Sequence, residues 1–387
     1  MSLFLFINVV FVSADIPWLD GWTYRKMHVI NAQEGAGTNY QVKITVHYGS
    51  GTDSGADVYL NEKCKTDFGD IRFTDNDQET ELDCWMENKT DSDNAIFWVE
   101  VSDNLNNSDV TIYTCYGNTD AITTSNGLNT FPFFEDFLGS VVNTSDWSVV
   151  GSPSVSSSIC TVATTSGIEY IQSKTSFSKP LRLRANLKWA DYGDEIFSLN
   201  SASEYTRIWR STYGGDRARI MRTATSGGST ETPRSWTFNS FINQEITWTA
   251  ARVKYYSEDV HKTTHTVFVP NADMPIRFYV VSGDGNPPVQ IEIDWVFIAN
   301  FFDPEPSHGS WGSQETIPFS ATSIAAPYAF AAISIMSLSF VIGIGAALIS
   351  SWESQDFSAL VLVVIVGIGI TIALFIALPI LNAFSGL

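Results

Sequence analysis

A few side chains in this chain stand at spacings that could do chemistry. Glu292-Ile293-Asp294 puts two carboxylates two residues apart, on one face of a strand. Glycoside hydrolysis uses a pair of carboxylates about 5–10 Å apart across the scissile bond. Val296 and Phe297 follow, with no further carboxylate beside them, and Asp294 is expected to cap or orient a closing strand. His261 and His265 are four apart, which on a helix would present both to one metal. Residues 260–269 read as a strand, where that spacing is about 13 Å along one face. Asp75, Asp77 and Glu79 alternate like calcium ligands, but Thr80 stands where an EF-hand loop needs glycine. A solvated turn is expected there. No Gly-rich phosphate loop and no Gly-x-Ser-x-Gly elbow is present. Catalytic residues, metal ligands and cofactors are therefore all assigned as none.

The remaining candidate is cationic and aromatic. Tyr205, Arg207 and Trp209 alternate along one strand and share a face. Arg217 and Arg219 share a face on the next strand, after a glycine turn at Tyr213-Gly214-Gly215-Asp216. Arginine binds carboxylates and sulfates bidentately, and sugar rings stack on aromatic planes. These five residues are the candidate ligand-binding set. The competing expectation is that Tyr205 and Trp209 are core, with the arginines pairing to Glu204 and Asp216.

The elements that would hold such a site are strands. Tyr40, Val42, Ile44 and Val46 alternate with polar residues, as one buried face requires. Similar runs at 24–30, 70–74, 81–87, 95–101 and 110–116 are separated by turn-rich stretches, which predicts an antiparallel sandwich. A second all-β block spans 131–312, with strands at 182–189, 205–211, 217–223, 245–255, 264–269, 277–281 and 289–298. Residues 313–324 read as a short stalk. The fold class is thus all-β: two antiparallel sandwich domains (15–130 and 131–312) plus a C-terminal transmembrane helical hairpin.

The hairpin is read from two apolar runs, 328–349 and 359–380, within 325–387. Each has the length of about 20 residues that spans a bilayer. Neither contains an ionisable residue, so a plain anchor is expected rather than an ion path. Gly343 with Ala347 and Gly369 with Ala373 would let helices approach closely, giving a route to homo- or hetero-oligomers. Residues 1–14 read as a signal peptide, with an apolar run at 3–12 and small residues before Asp15, although no Lys or Arg precedes Arg25. Export would place residues 15 to about 320 outside the cell membrane or envelope. The sequons at Asn88, Asn106 and Asn143 are then candidate glycosylation sites. The net charge of −20 excludes nucleic acid and anionic lipid head groups as partners.

Three stretches carry a resemblance. Gly21-Trp22-Thr23-Tyr24-Arg25-Lys26, residues 67–75 (Asp-Phe-Gly-Asp-Ile-Arg-Phe-Thr-Asp) and Ile112-Tyr113-Thr114-Cys115-Tyr116-Gly117-Asn118 resemble the DUF2341 family, a β-rich domain of unknown function in archaeal and bacterial surface proteins. Phe134-Glu135-Asp136-Phe137 resembles the junction into a concanavalin-like, laminin-G-like jelly roll. Asp294-Trp295-Val296-Phe297 and residues 303–312 look like the exit of that second domain. At Cys84 and Cys115 the family pattern favours aromatics, and the joint change implies a disulfide between them. Laminarinase-type glycosidases on a jelly roll carry a Glu-x-Asp strand with a second glutamate that this chain lacks. The resemblance implies a fold and a setting but no activity. The expectation is a membrane-anchored extracytoplasmic glycoprotein, non-enzymatic, binding glycans or surface proteins. A structural or accessory subunit of a membrane or envelope assembly, and a divergent glycoside hydrolase, are the alternatives.

Overall fold

The computed structural model describes residues 17–189, 193–210, 219–234, 240–282 and 288–317. The signal peptide, the glycine turn at 213–216, Arg217 and the apolar hairpin lie outside the described residues. Among those described, no helix is long and apolar enough to cross a membrane. The described residues form one compact unit.

Seven strands open the chain: β1 (Tyr24–Asn31), β2 (Tyr40–His47), β3 (Asp57–Tyr59), β4 (Arg72–Thr74), β5 (Cys84–Thr90), β6 (Asn94–Val101) and β7 (Val110–Tyr116). A single helical turn, α1 (Gly127–Thr130), is capped by the Asn126 side chain on the Asn129 amide. Fifteen strands follow: β8 (Phe133–Glu135), β9 (Trp147–Val150), β10 (Ser154–Ser156), β11 (Ile159–Thr164), β12 (Gly167–Phe177), β13 (Leu181–Trp189), β14 (Asp194–Asn200), β15 (Tyr205–Arg210), β16 (Arg219–Thr225), β17 (Gly228–Arg234), β18 (Ile242–Trp248), β19 (Val253–Ser257), β20 (Val260–His265), β21 (Met274–Ser282) and β22 (Val289–Asn300). The last two are β23 (Ser307–Trp311) and β24 (Glu315–Thr316).

They make four sheets. In the first sandwich, β3-β2-β6-β5 faces β23-β1-β7-β4, with β24 also on β1. Its core holds Ile44, Val46, Phe73, Phe97, Val99 and Ile112, the inward members of the period-two runs. In the second sandwich, β10-β11-β22-β13-β18-β19-β20, with β8 beside β22, faces β17-β16-β15-β14-β21-β12-β9. Leu183, Leu187, Phe197, Ile208, Phe278 and Ile293 fill that core.

The chain leaves the second sandwich through β22 and returns to the first. His28 pairs with Trp311 and Ile30 with His308, while Tyr24 pairs with Thr316. Residues 307–316, read above as a domain exit and the start of a stalk, are therefore edge strands of the first sandwich. Their pairing covers the free edge of β1. Gly309 permits the approach, since a Cβ there would lie 3.0 Å from the Val29 carbonyl. The second sandwich is inserted between β7 and β23.

The two sandwiches pack sheet on sheet. Trp85 and Trp98 of the first meet Trp295 and Phe297 of β22, with Phe131 stacked on Phe297 at 4.0 Å between ring centres. Beside this aromatic cluster Arg184 reaches Glu87 at 2.8 Å, Glu245 at 3.0 Å and Asp259 at 2.7 Å. Burial works against ionising Asp259, but Arg184 and Lys43 outweigh it and hold its pKa at about 2. β13 is thus covered on both faces, leucines on one and Arg182 and Arg184 on the other.

The run at 245–255, read as one strand, is the β18–β19 hairpin. Its turn is closed by the Thr249 amide and hydroxyl donating to the Arg252 carbonyl, with neither Gly nor Pro to mark it.

Candidate functional site

The outer sheet of the second sandwich carries the site. Thr206, Ile208 and Arg210 of β15 are buried, so Tyr205, Arg207 and Trp209 point away from the core. The expectation that these aromatics are core is not met. Register then extends the patch over five more strands. Gln172, Arg277, Ser198, Arg207, Arg222 and Glu231 form one lateral row, each opposite the next. Tyr170, Tyr279, Ile196, Trp209, Ile220 and Pro233 form the row beside it.

Each arginine lies on aromatic rings. The Arg207 guanidinium carbon is 4.3 Å from the Tyr205 ring centre and 4.6 Å from that of Trp209. Arg277 lies 4.0 Å over Tyr170 and 4.7 Å over Tyr279. Such contacts hold the planar group over the rings through its π face, leaving the terminal Nη groups as the donors. Arg222 is pulled aside by Glu231 at 2.9 Å. Among the described residues, Arg207 and Arg277 have no ion pair. Their Nε atoms and the Trp209 Nε1 are buried without a hydrogen-bond partner in the protein. Burial pulls the Arg207 pKa below its ordinary value, and Arg222 adds to this while Tyr205 opposes it. Burial likewise raises the Tyr279 phenol, which stays a neutral donor. A pocket of about 560 Å³ opens beside the first row, at the β14–β15 turn, lined by Gln172, Asn200, Ser203, Tyr205, Asp273 and Arg277.

Two of the five predicted ligand residues do not join this face as described. Arg217 lies outside the described residues. Arg219 stands opposite Arg210, so its register position is on the other face of the sheet from Arg207. The β16 cation that joins the patch is Arg222. Tyr170, Arg222, Arg277 and Tyr279 escaped sequence reading, although Arg277 and Tyr279 repeat the Arg-x-aromatic alternation of Arg207 and Trp209.

Other leads resolve locally. Glu292 is paired with Lys188 at 2.9 Å, and Asp294 falls at an irregularity between the Asn186 and Leu187 pairings. Burial and the neighbouring Asp136 raise the Asp294 pKa. His261 and His265 lie on opposite faces of β20, because a bulge opposite Tyr255 and Tyr256 reverses the parity assumed above. His265 is bonded to Thr223 and Thr232. Asp77 accepts from the Glu79 and Thr80 amides in an exposed turn. No group able to hold a metal occurs among the described residues.

The expected disulfide is absent. Cys84 lies in the core of the first sandwich, whereas Cys115 faces the far side of its sheet, against Tyr113 and Trp22. On β7, Ile112 and Tyr116 point inward, so Cys115 at odd parity cannot reach Cys84. All four cysteines are free and buried. Asn88 and Asn143 are exposed, and the Asn143 amide donates to Asp146 at 2.6 Å. Asn106 is half-buried, its side-chain oxygen accepting from the Gly35 amide.

The stretches of the first sandwich that carry the resemblance are scaffold. Asp70 is fully buried and accepts from the Lys65 and Gly117 amides at 2.8 Å each. Arg72 donates to the carbonyls of Gly69, Ile71 and Ile122. Trp22 donates to the Asp70 carbonyl at 2.6 Å.

The described residues therefore form an all-β protein of sandwich-like sheets with an arginine-and-aromatic outer face. Residues 67–150 match the family described as Domain of unknown function (DUF2341). That match starts inside the first sandwich and ends in β9 of the second. No curated protein matches the chain. Similar solved structures include a Bacillus licheniformis β-glucanase (16% identity, 44% of this chain, 98% of that one, TM-score 0.38). A Mycobacterium marinum β-1,3-glucanase is similar at 14% identity over 43% of this chain and 98% of that one, TM-score 0.37. A prokaryotic lichenase from a mouse hindgut metagenome is similar at 12% identity over 44% and 99%, TM-score 0.37.

Proposed function

We propose that this protein is a non-catalytic glycan-binding protein of the cell surface, using the outer face of the second sandwich. One observation carries this reading: two arginines with no ion pair among the described residues lie over aromatic rings, in register on either side of β14 and beside an open polar pocket. Sugars offer what such a face accepts, namely apolar ring faces for stacking and hydroxyls for hydrogen bonding. The non-catalytic part rests on Glu292, whose nearest charged partner is Lys188 rather than a second carboxylate.

Surface location rests on the sequence: an export-type start and two apolar segments long enough to anchor the chain. A glycan array probed with the full-length protein tests the binding reading. Binding should appear and should fall at least tenfold on Tyr279→Ala. An array without signal removes it. Protease added to intact cells should cleave the sandwiches, and alkaline carbonate should leave the chain in the membrane. The opposite results would remove the surface reading while leaving the binding site untouched.

A further inference from the structure

We infer that the ligand is a linear acidic polysaccharide lying across the strands, with its anionic groups on alternate sugars. This deepens the glycan reading above and rests on it. The argument begins with spacing. Arg277 and Arg207 both pair with Ser198, one from each side of β14. Two strand separations place their backbones about 9.5 Å apart along the row. Between them Ser198 is small and uncharged, its hydroxyl donates to the Arg277 carbonyl, and its neighbours close over it, so no charge separates the two arginines along the row. Alternate sugars of an extended pyranose chain repeat at a comparable distance, whereas adjacent sugars repeat at about half of it.

Chemistry makes the same choice. The two terminal Nη groups of a guanidinium present a fork that fits a carboxylate or sulfate better than a hydroxyl. Arg207 and Arg277 have aromatic contacts but no ion pair among the described residues. The third arginine of the row, Arg222, already has Glu231, which closes that end. The row therefore offers two anion positions with a neutral position between. An anionic group on the intervening sugar would stand over Ser198, facing no cation, in a protein of net charge −20. Long-range repulsion would penalise every charge that lacks an arginine. Aromatic rings on both sides, Tyr205 with Trp209 and Tyr170 with Tyr279, supply stacking for the sugars that carry the anions.

The test compares three chains of equal length on the full-length protein: hyaluronan (a carboxylate on alternate sugars), polygalacturonate (one on every sugar) and dextran (none). Hyaluronan should bind at least tenfold tighter than the other two. Arg207→Gln and Arg277→Gln should each lose at least tenfold of that binding. Arg252→Gln removes one surface charge away from the face and should change nothing. Equal losses in all three variants would mean bulk charge alone, which overturns the inference. Tighter dextran binding, indifferent to Arg207→Gln and Arg277→Gln, would overturn the acidic ligand and leave the glycan reading standing. If no chain binds, the acidic-polysaccharide inference falls, and the glycan array decides the wider glycan reading.

Discussion

Both sheets of the second sandwich carry outward-facing arginines, and their fates are opposite. On β13, Arg182 and Arg184 point out of one sheet into the first sandwich. There Glu87, Glu245, Asp259 and Glu305 surround them. On β15 and β21, Arg207 and Arg277 point out of the other sheet, where aromatic rings are their partners. The same residue type is held by carboxylates on one face and has only aromatic partners among the described residues on the other. What differs is whether a second layer covers the sheet.

That contrast can be broken most forcefully at Glu87. Its side chain and that of Arg184 are each 1% exposed, and removing one partner of a buried pair typically costs about 3–5 kcal/mol. Glu87→Ala should lower the midpoint of chemical denaturation accordingly, with the lower end favoured because Glu245 and Asp259 still face Arg184. An unchanged midpoint would mean that the two sandwiches do not depend on this contact. Phe297→Ala, in the aromatic cluster, should cost about 3–5 kcal/mol by cavity formation.

The next effect is a pH dependence at the strand that closes the first sandwich. His28 is fully buried, stacked on Trp311 at 3.7 Å and bonded to His308 at 2.9 Å. Burial, then His308, lowers its pKa to about 3, despite a bond to Ser310. Burial also lowers His265 to about 4. Between these values and the unfolded pKa near 6.5 the unfolded chain holds more protons. Stability should therefore fall as pH drops from about 6.5 toward 4, by about 1.4 kcal/mol per pH unit per histidine. His28→Gln should flatten the pH profile of denaturation. A slope unaffected by that change would place the acid sensitivity elsewhere.

Thiol titration sharpens the comparison between the two sides of β7. Burial raises each of the four cysteines to about 12. The folded protein should react slowly with a thiol reagent, and denaturation without reductant should expose all four cysteines. Two reactive thiols would instead indicate the Cys84–Cys115 bridge. The smallest stability effects belong to the open face: Arg207→Gln and Arg277→Gln should shift stability by less than about 1 kcal/mol. A larger loss would make these arginines structural, like Arg184.

Much of the fold was legible because alternation is a local signal. The strands at 24–30, 40–46, 95–101 and 110–116 follow from residues that alternate regardless of what covers them. The face shared by Tyr205, Arg207 and Trp209 was legible for the same reason. Arg222, Arg277 and Tyr279 were not joined to it, because cross-strand register depends on pairings between residues far apart in the chain. Arg219 was placed on the wrong face by treating two arginines as a pair instead of asking which one stands opposite Arg207. The disulfide failed at a similar point, since a family-level hint about Cys84 and Cys115 carries no parity.

By itself the sequence determined the period of its strands, the acidic character of the chain and the residue types that could stack and pair. Those properties are written within short windows, where sterics and hydrophobic burial act between near neighbours. Only the tertiary structure decided that residues 307–316 return to β1, that the first sandwich buries Arg184, and that Arg207 and Arg277 share an uncovered row. Burial and register arise from contacts between distant segments, and the same arginine has no fixed role until those contacts exist.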